Sequence, residues 1–239
     1  LANYEYRRRK WAKSIDSFDA LNPRRLSKSM RTEYHFKRGH ARFETGDLEG
    51  ARGDLLRVKE DPAAQPEFLE ASEYYLAHIA FAEDRLTTAL EAFEALSAID
   101  AFKDAVPLYI GQILYRLERF DELAARAPEW LSEERDLAGG DRNELTRMLG
   151  EALFHLGDCM SASPYLESAW SNADPQERTP GFSYIVGSCR LSTGNPGTAI
   201  TALMRATGGE SALDQYATHA MGRAYLELDE KPKAQAAFE

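Results

Sequence analysis

The sequence predicts an all-α protein in which helical hairpins are stacked one on another. Three observations support this fold. A small residue recurs every 34 to 39 residues, a second small or apolar residue follows it after 12 residues, and in three copies a Gly-Asp or Gly-Asn pair stands between them. A small residue on one helix lets a second helix cross it closely. Each copy is therefore expected to form one helix-turn-helix unit.

Six copies of this pattern can be aligned. The first small residue is expected on the first helix of a hairpin, and the later residues on the inner face of the second helix. The copies are Gly39 with Ala51 and Leu55, Ala77 with Ala89 and Phe93, Gly111 with Leu123, Gly150 with Ala162 and Leu166, Gly187 with Ala199 and Leu203, and Gly222 with Ala234 and Phe238. Because Ala77 stands where five copies have Gly, the sequence predicts that Ala is tolerated at the Gly positions.

The turn inside several copies carries the residues that end one helix and begin the next. These are Gly46-Asp47, Gly157-Asp158 and Gly194-Asn195-Pro196. Gly favours the end of a helix, Asp and Asn cap the next one, and Pro suits its first position. These signals place a short turn between the two helices of each hairpin.

The last copy resembles the tetratricopeptide (TPR) repeat family. Met221, Gly222, Tyr225, Ala234 and Phe238 match its apolar-Gly, Tyr, Ala and Phe positions at the family's spacing. The resemblance extends over nearly the whole chain and implies a right-handed α-solenoid of stacked TPR-like repeats. It identifies an architecture and no activity.

We interpret the chain as a single solenoid with a partial first repeat at 1–30. Complete repeats are expected at about 31–66, 67–102, 103–140, 141–178, 179–213 and 214–239. No polar capping helix follows the last repeat, and solenoids need polar ends for solubility. We therefore expect a fragment of a longer repeat protein, or self-association through the uncapped ends.

Composition excludes several classes of protein. A formal charge of −10 opposes nucleic acid, and no apolar run approaches the length of a membrane span. The basic run from Arg7 to Lys10 is expected in an exposed turn of the partial repeat, with an anion or nucleic-acid contact as the alternative. Cys159 and Cys189 have no metal-binding spacing and are expected as small buried residues. Antiparallel packing brings their helix ends together, so a disulfide is the alternative.

The sequence predicts a non-enzymatic protein. It contains no nucleophile elbow, zinc-protease motif, phosphate-binding loop or dinucleotide fingerprint. We expect no cofactor and no metal site. His40 and His78 are equivalent residues on neighbouring first helices, so they would stand too far apart to share one zinc ion.

The resemblance to TPR proteins implies that the first helices line a groove for a peptide or protein segment. Aligned on the small residue, the candidate groove residues are aromatic, hydrogen-bonding and charged. They are Phe36, His40, Tyr74, His78, Gln112, Tyr115, Arg116, Arg147, Glu151 and His155. Such a mixture suits a protein segment, because rings anchor it and polar groups set its register. The alternative for the ring positions is packing between helices. The Lys, Asn and Arg clamp of chaperone-binding TPR domains is absent.

The functional hypothesis is a scaffold that binds a protein partner in this groove. The alternative is a regulatory or substrate-recruiting module of a larger protein, whose enzymatic or DNA-binding domain lies outside this sequence. Tyr-rich runs such as 73–77 and 107–115 resemble bacterial, Bacteroidetes-like TPR arrays. This resemblance favours the periplasm of a cell envelope over the cytoplasm.

Overall fold

The computed structural model describes residues 1–132, 137–208 and 212–239. Within these ranges the protein is all-α and contains no strand. Contacts divide it into two compact units, Leu1–Ile113 and Leu114–Glu239, and each is described separately. None of the described helices combines the length and the hydropathy needed to cross a membrane.

The first unit consists of helices α1 to α6 and most of α7, with a short 3₁₀ helix at Pro23–Arg25. The helices are α1 (Ala2–Arg7), α2 (Trp11–Asp19), α3 (Lys28–Glu44), α4 (Leu48–Lys59), α5 (Pro66–Ala82), α6 (Leu86–Ser97) and α7 (Pro107–Arg116). The second unit holds α8 (Phe120–Trp130), α9 (Gly139–His155), α10 (Cys159–Asn172), α11 (Pro180–Ser192), α12 (Pro196–Ala206), α13 (Ala212–Glu227) and α14 (Lys231–Phe238).

Successive helices pack as hairpins, and successive hairpins pack on each other. In the first unit α3 packs on α4 and α5 on α6, while in the second unit α9 packs on α10, α11 on α12 and α13 on α14. First helices also lie beside first helices, since α3 contacts α5, and α11 contacts both α9 and α13. This arrangement confirms the predicted all-α helical-repeat solenoid. The repeat boundaries remain a prediction, and residues 133–136 and 209–211 within them lie outside the described part.

The recurring small residue packs under the large residue that follows it by 16 positions. A Cβ placed on Gly150 would stand 2.8 Å from Cδ2 of Leu166, and one placed on Gly39 would stand 3.0 Å from Cγ of Leu55. Both leucines are fully buried. The absence of a side chain at these positions therefore brings the two helices of a hairpin together, as predicted.

Seven hairpin turns share one backbone feature. One residue in each turn has a positive φ, between 54° and 81°. Three of these residues are the predicted glycines, and four are residues for which the left-handed conformation is costly. The seven positive-φ turn residues are Arg9, Gly46, Asp84, Glu118, Gly157, Gly194 and Asp229. Arg9 belongs to the basic run, whose four residues are exposed: Arg7 ends α1, and the next three residues form the turn before α2, as predicted.

Cys159 and Cys189 form a disulfide bond, with Cα atoms 5.0 Å apart. The bond joins the first residue of α10 to the last turn of α11. Cys189 is buried, as expected, while Cys159 is half-buried. The disulfide, which was the alternative to two separate buried thiols, is therefore the observed arrangement. The connection after α10 folds α11 back along α10, and this brings the two cysteines together.

Candidate protein-binding surface

In the first unit, Phe36 and His40 belong to a packed aromatic cluster. They lie one turn apart on α3, and the His40 ring stacks on Tyr75 of α5 with a centroid distance of 4.6 Å. The hydroxyl of Tyr75 lies 3.0 Å from His40 Nε2, while the hydroxyl of Tyr6 contacts Nδ1. Trp11 covers the same ring at 5.2 Å. His40 thus joins three consecutive hairpins through contacts with both of its ring nitrogens.

Burial lowers the pKa of His40, although Glu44 opposes this shift from 3.3 Å. Desolvation disfavours the charged imidazolium, and the neighbouring carboxylate favours it. Burial also raises the pKa of Tyr6. Burial in the cluster therefore favours the uncharged forms of His40 and Tyr6.

Tyr74 and His78 lie in a second aromatic cluster of the first unit. Tyr74 stacks on Phe102 at 5.2 Å, and His78 contacts Tyr109 at 4.4 Å and Phe93 at 5.1 Å. The buried Nε2 of His78 has no hydrogen-bond partner among the described residues. Burial lowers the pKa of His78 to about 4. Both candidate residues are half-buried, and their rings pack on α6, on the segment before α7 and on the first turn of α7.

Gln112 and Arg116 lie one turn apart on α7, at the boundary of the two units. Gln112 belongs to the first unit and is half-buried, whereas Arg116 belongs to the second unit and is exposed. Both side chains take part in interactions within the protein.

In the second unit, Arg147, Glu151 and Tyr115 form a polar chain. Arg147 Nη1 donates to Glu151 Oε1 at 2.9 Å, and the side chains of Tyr115 and Glu151 also share a hydrogen bond. Glu151 is 3% exposed, so its carboxylate is held below the surface by these two partners. Burial and the Glu151 carboxylate both raise the pKa of Tyr115. Arg147 is the accessible end of the chain, with a side chain that is 39% exposed.

Arg147 also borders a polar cavity of about 630 Å³. The cavity lies between α9, the end of α10 and the segment before α11, and its polar lining comprises Asp141, Asn143, Glu144, Asn172, Glu177 and Thr179. The two asparagine amides approach to 3.5 Å. Amide and guanidinium N–H groups in one recess can donate to carbonyl and carboxylate oxygens, and the amide oxygens can accept from backbone N–H groups.

A row of aromatic rings crosses the second unit from the end of α7 to α13. We name Tyr115, Phe120, His155, Phe154, Tyr184 and Tyr216 the aromatic row. The rings of Phe120 and His155 are nearly parallel and 4.4 Å apart, and Phe120 also contacts Tyr115 at 5.6 Å. Phe154 lies 6.3 Å from Tyr184, which lies 6.5 Å from Tyr216. The last three rings come from α9, α11 and α13, so the row steps across three neighbouring first helices.

The aromatic row remains accessible at several places. Tyr216 is 63% exposed and His155 is exposed, while the other rings are half-buried. The alignment of first helices identified Tyr115 and His155 but missed Phe120 and Tyr216. Phe120 begins a second helix, and Tyr216 stands six residues before Gly222, where no other copy has an aromatic residue. The sequence therefore carries no repeated signal for these two rings.

No group of three or more His, Cys, Asp or Glu side chains suited to a metal ion occurs among the described residues. No protein-family model matches the sequence, and no curated protein matches it. Solved structures do match the fold. The C-terminal part of a TPR repeat-containing protein from Cytophaga hutchinsonii has a TM-score of 0.65 and 14% identity, with 99% of this chain and 91% of that chain covered.

Two further solved structures also match the fold of this chain. YrrB, described as a TPR protein with an unusual peptide-binding site, has a TM-score of 0.59 and 18% identity, with 77% of this chain and 88% of that chain covered. PilF of Pseudomonas aeruginosa has a TM-score of 0.55 and 16% identity, covering 86% and 88%. The small-residue pattern, the stacked hairpins and these structures agree: the chain has the tetratricopeptide-repeat fold.

Proposed function

We propose that this protein is a non-enzymatic scaffold that binds a peptide or protein segment along its first helices. The observation that carries the proposal is the aromatic row of the second unit. Its rings continue across α9, α11 and α13, and Tyr216 is 63% exposed at one end. An extended segment lying across three first helices would contact several rings at once.

Aromatic side chains are suited to this role because they provide large contact areas at a small entropic cost. Buried aromatic anchors commonly contribute 2 kcal/mol or more each at protein interfaces. The half-buried rings of Phe154 and Tyr184 are held by their neighbours, so little further ordering is needed on binding. The row can therefore supply the anchoring energy.

Charged groups near the row favour a partner with acidic residues. The accessible end of Arg147 lies one turn before Glu151 on α9, and Arg223 is exposed on α13. Guanidinium groups bind carboxylates through paired hydrogen bonds. The cavity beside Arg147 also carries the carboxylates of Asp141, Glu144 and Glu177, so it would suit backbone N–H groups of the partner and not its acidic side chains.

The ten candidate groove residues remain part of the proposal, with different expected roles. Phe36, His40, Tyr74 and His78 are engaged in packing, so we expect them to shape the first helices and to contact a partner through ring edges. Gln112 and Arg116 lie on α7, the first helix of its hairpin, and we expect them to contact the partner there. The peptide-binding site named for YrrB, which shares the fold, supports this reading of the surface.

Selection from a phage-displayed library of random peptides would test the proposal. The wild-type protein should enrich a family of peptides rich in acidic and aromatic residues. Replacing Tyr184 and Tyr216 together by Ala should weaken binding of these peptides at least tenfold. Failure to enrich any peptide family would overturn the proposal.

The matched control removes two exposed apolar side chains from second helices of the same unit. Met160 is 74% exposed on α10 and Met204 is 59% exposed on α12. The Met160→Ala plus Met204→Ala variant should bind the selected peptides within twofold of wild type. If the tyrosine variant keeps its thermal midpoint and binds as well as this control, the partner surface lies elsewhere.

A further inference from the structure

We propose that the Cys159–Cys189 disulfide is a site of thiol–disulfide exchange that controls the aromatic row. The inference rests on the proposed function, because it assigns regulation to the same surface. Its chemical partner is a dithiol. When the disulfide is formed, the rings of the aromatic row are held in the arrangement that binds the partner. When both cysteines are reduced, the spacing of these rings becomes variable.

The bond lies at the junction that the row must cross. It joins α10, the second helix of one hairpin, to α11, the first helix of the next. Phe154 belongs to the first of these hairpins, and Tyr184 belongs to the second. With two cysteines in the chain, this is the one junction between hairpins that a disulfide can hold.

The bridge and the two rings share one apolar cluster. Cys189 packs there with Leu166 and Phe182, and Phe154 and Tyr184 pack against the same cluster. Cys159 also contacts it from the side. A change in the distance between α10 and α11 is therefore transmitted to both rings through direct contacts, because close-packed side chains shift together.

The two cysteine residues differ in their exposure to solvent. Cys189 is 1% exposed, whereas Cys159 is half-buried at the beginning of α10. A reducing thiolate can therefore reach Sγ of Cys159 more readily than Sγ of Cys189. Access is one of the factors that decide which sulfur of a disulfide is attacked.

The exchange is balanced by a dithiol reductant. One thiolate of the reductant attacks Sγ of Cys159, the sulfur–sulfur bond of the protein breaks, and Cys189 leaves as a thiolate that takes up a proton. The second thiol of the reductant then attacks the mixed disulfide and releases the Cys159 thiolate, which is protonated in turn. The protein disulfide gains two electrons, and the dithiol becomes a cyclic or intramolecular disulfide.

Reduction should loosen the junction without unfolding the hairpins on either side. Two thiols cannot stay at bonding distance, so their van der Waals contact pushes the start of α10 away from α11. The packing of α9 on α10 and of α11 on α12 involves no cysteine bond and should persist. The spacing between Phe154 and Tyr184, which is 6.3 Å in the bridged protein, should become variable.

The test compares three forms of the full chain: the oxidised protein, the protein reduced with dithiothreitol, and the Cys159→Ser plus Cys189→Ser variant. Alkylation and intact mass first establish the state of the thiols. The oxidised protein should take up no label, and the reduced protein should take up two. Two labelled thiols in protein prepared with an oxidising glutathione buffer would overturn the proposal.

Two readouts then follow the consequence of reduction. Affinity for a phage-selected peptide should fall at least fivefold in the reduced protein and in the serine variant. Amide hydrogen exchange in α11 should accelerate at least tenfold, while exchange in α3 and α4 of the first unit stays unchanged as an internal control. Unchanged exchange in α11 and unchanged affinity after complete reduction would refute the control role.

The exchange readout keeps this proposal separate from the proposed function. If no peptide is ever enriched, the binding function fails, and hydrogen exchange still reports whether the bond holds α10 to α11. Faster hydrogen exchange in α11 without a change in peptide affinity would show that the disulfide only stabilises the packing of α10 on α11. That result would overturn the regulation of the aromatic row.

Discussion

Gly187 of α11 lies directly beneath Leu203 of α12. A Cβ placed on Gly187 would stand 2.6 Å from Cγ of Leu203 and 3.2 Å from the carbonyl oxygen of Ala199. Leu203 is fully buried, so it has little space into which it can move. The hairpin therefore depends on the missing side chain.

We expect Gly187→Ala to destabilise the protein by about 1–3 kcal/mol, because the added methyl group overpacks the helix crossing. The alignment with Ala77 predicts tolerance of Ala, and the contact distances at Gly187 argue against it. Urea unfolding monitored by circular dichroism measures the effect. Gly181→Ala is the control on the same helix, since no atom lies within 4 Å of its added Cβ. Equal stabilities for the two variants would contradict this packing.

The left-handed turn residues give a second prediction. Glu118 has a φ of 56° in the turn between α7 and α8. The equivalent residue in the turn between α9 and α10 is Gly157, which has a φ of 80°. A non-glycine residue costs about 1–2 kcal/mol in this conformation. Glu118→Gly should therefore raise the free energy of unfolding by about 1 kcal/mol, and Gly157→Ala should lower it by a similar amount. Thermal unfolding that shifts both variants in the same direction would argue against this explanation.

His78 gives a prediction about pH. Burial lowers its pKa to about 4, below the unfolded value near 6.5, so the folded protein binds fewer protons. The stabilising contribution is complete above pH 6.5 and is lost as the pH falls towards 4. Its slope is at most about 1.4 kcal/mol per pH unit.

The His78→Phe variant should lose this part of the pH dependence, because it has no proton to bind. Unfolding free energies measured between pH 7 and pH 4.5 provide the comparison. His155→Gln is the control, since His155 is exposed. A slope that is the same in His78→Phe and in wild type would rule out His78 as its source.

Asp54 is the buried centre of an ion cluster in the first unit. Its carboxylate is 1% exposed and accepts hydrogen bonds from Arg38 at 2.6 Å and Arg42 at 2.9 Å, with His35 Nδ1 at 3.0 Å. Burial acts to raise the pKa of Asp54, but the hydrogen bonds from His35 and Arg38 outweigh it and the pKa is lowered. Its stabilising contribution is therefore lost as the pH falls through this lowered pKa.

Removing this carboxylate should leave the half-buried Arg38 and Arg42 without their buried counter-charge, since their remaining carboxylate partners, Asp19 and Asp47, are exposed. We expect Asp54→Ala to cost about 3–5 kcal/mol. Asp19→Ala removes a carboxylate that also contacts Arg38, at 2.7 Å, but is 46% exposed, and should cost less than about 1 kcal/mol. Chemical unfolding of both variants tests the difference, and comparable losses would contradict a special role for Asp54.

The sequence by itself determined the helical hairpins and their spacing. Gly187 and Leu203 are 16 residues apart and meet across one turn, so their contact is encoded within a single repeat. Local signals of this kind can be read from a single sequence, because the spacing of the small residues and the Gly-Asp turns reflect the backbone geometry of one hairpin. Of the four turns without Gly, the one at Arg9 was predicted from its basic run, whereas the left-handed residues Asp84, Glu118 and Asp229 carry no Gly signal in the sequence.

Only the tertiary structure decided which rings form the candidate site. Tyr74 and Tyr184 occupy the same position, three residues before Ala77 and Gly187, yet Tyr74 packs on Phe102 while Tyr184 lies beside the exposed Tyr216. The disulfide is a similar case, because pairing depends on Cα atoms that approach to 5.0 Å across two hairpins. In both cases the outcome depends on side chains from neighbouring repeats, and the pattern within one repeat contains no information about them.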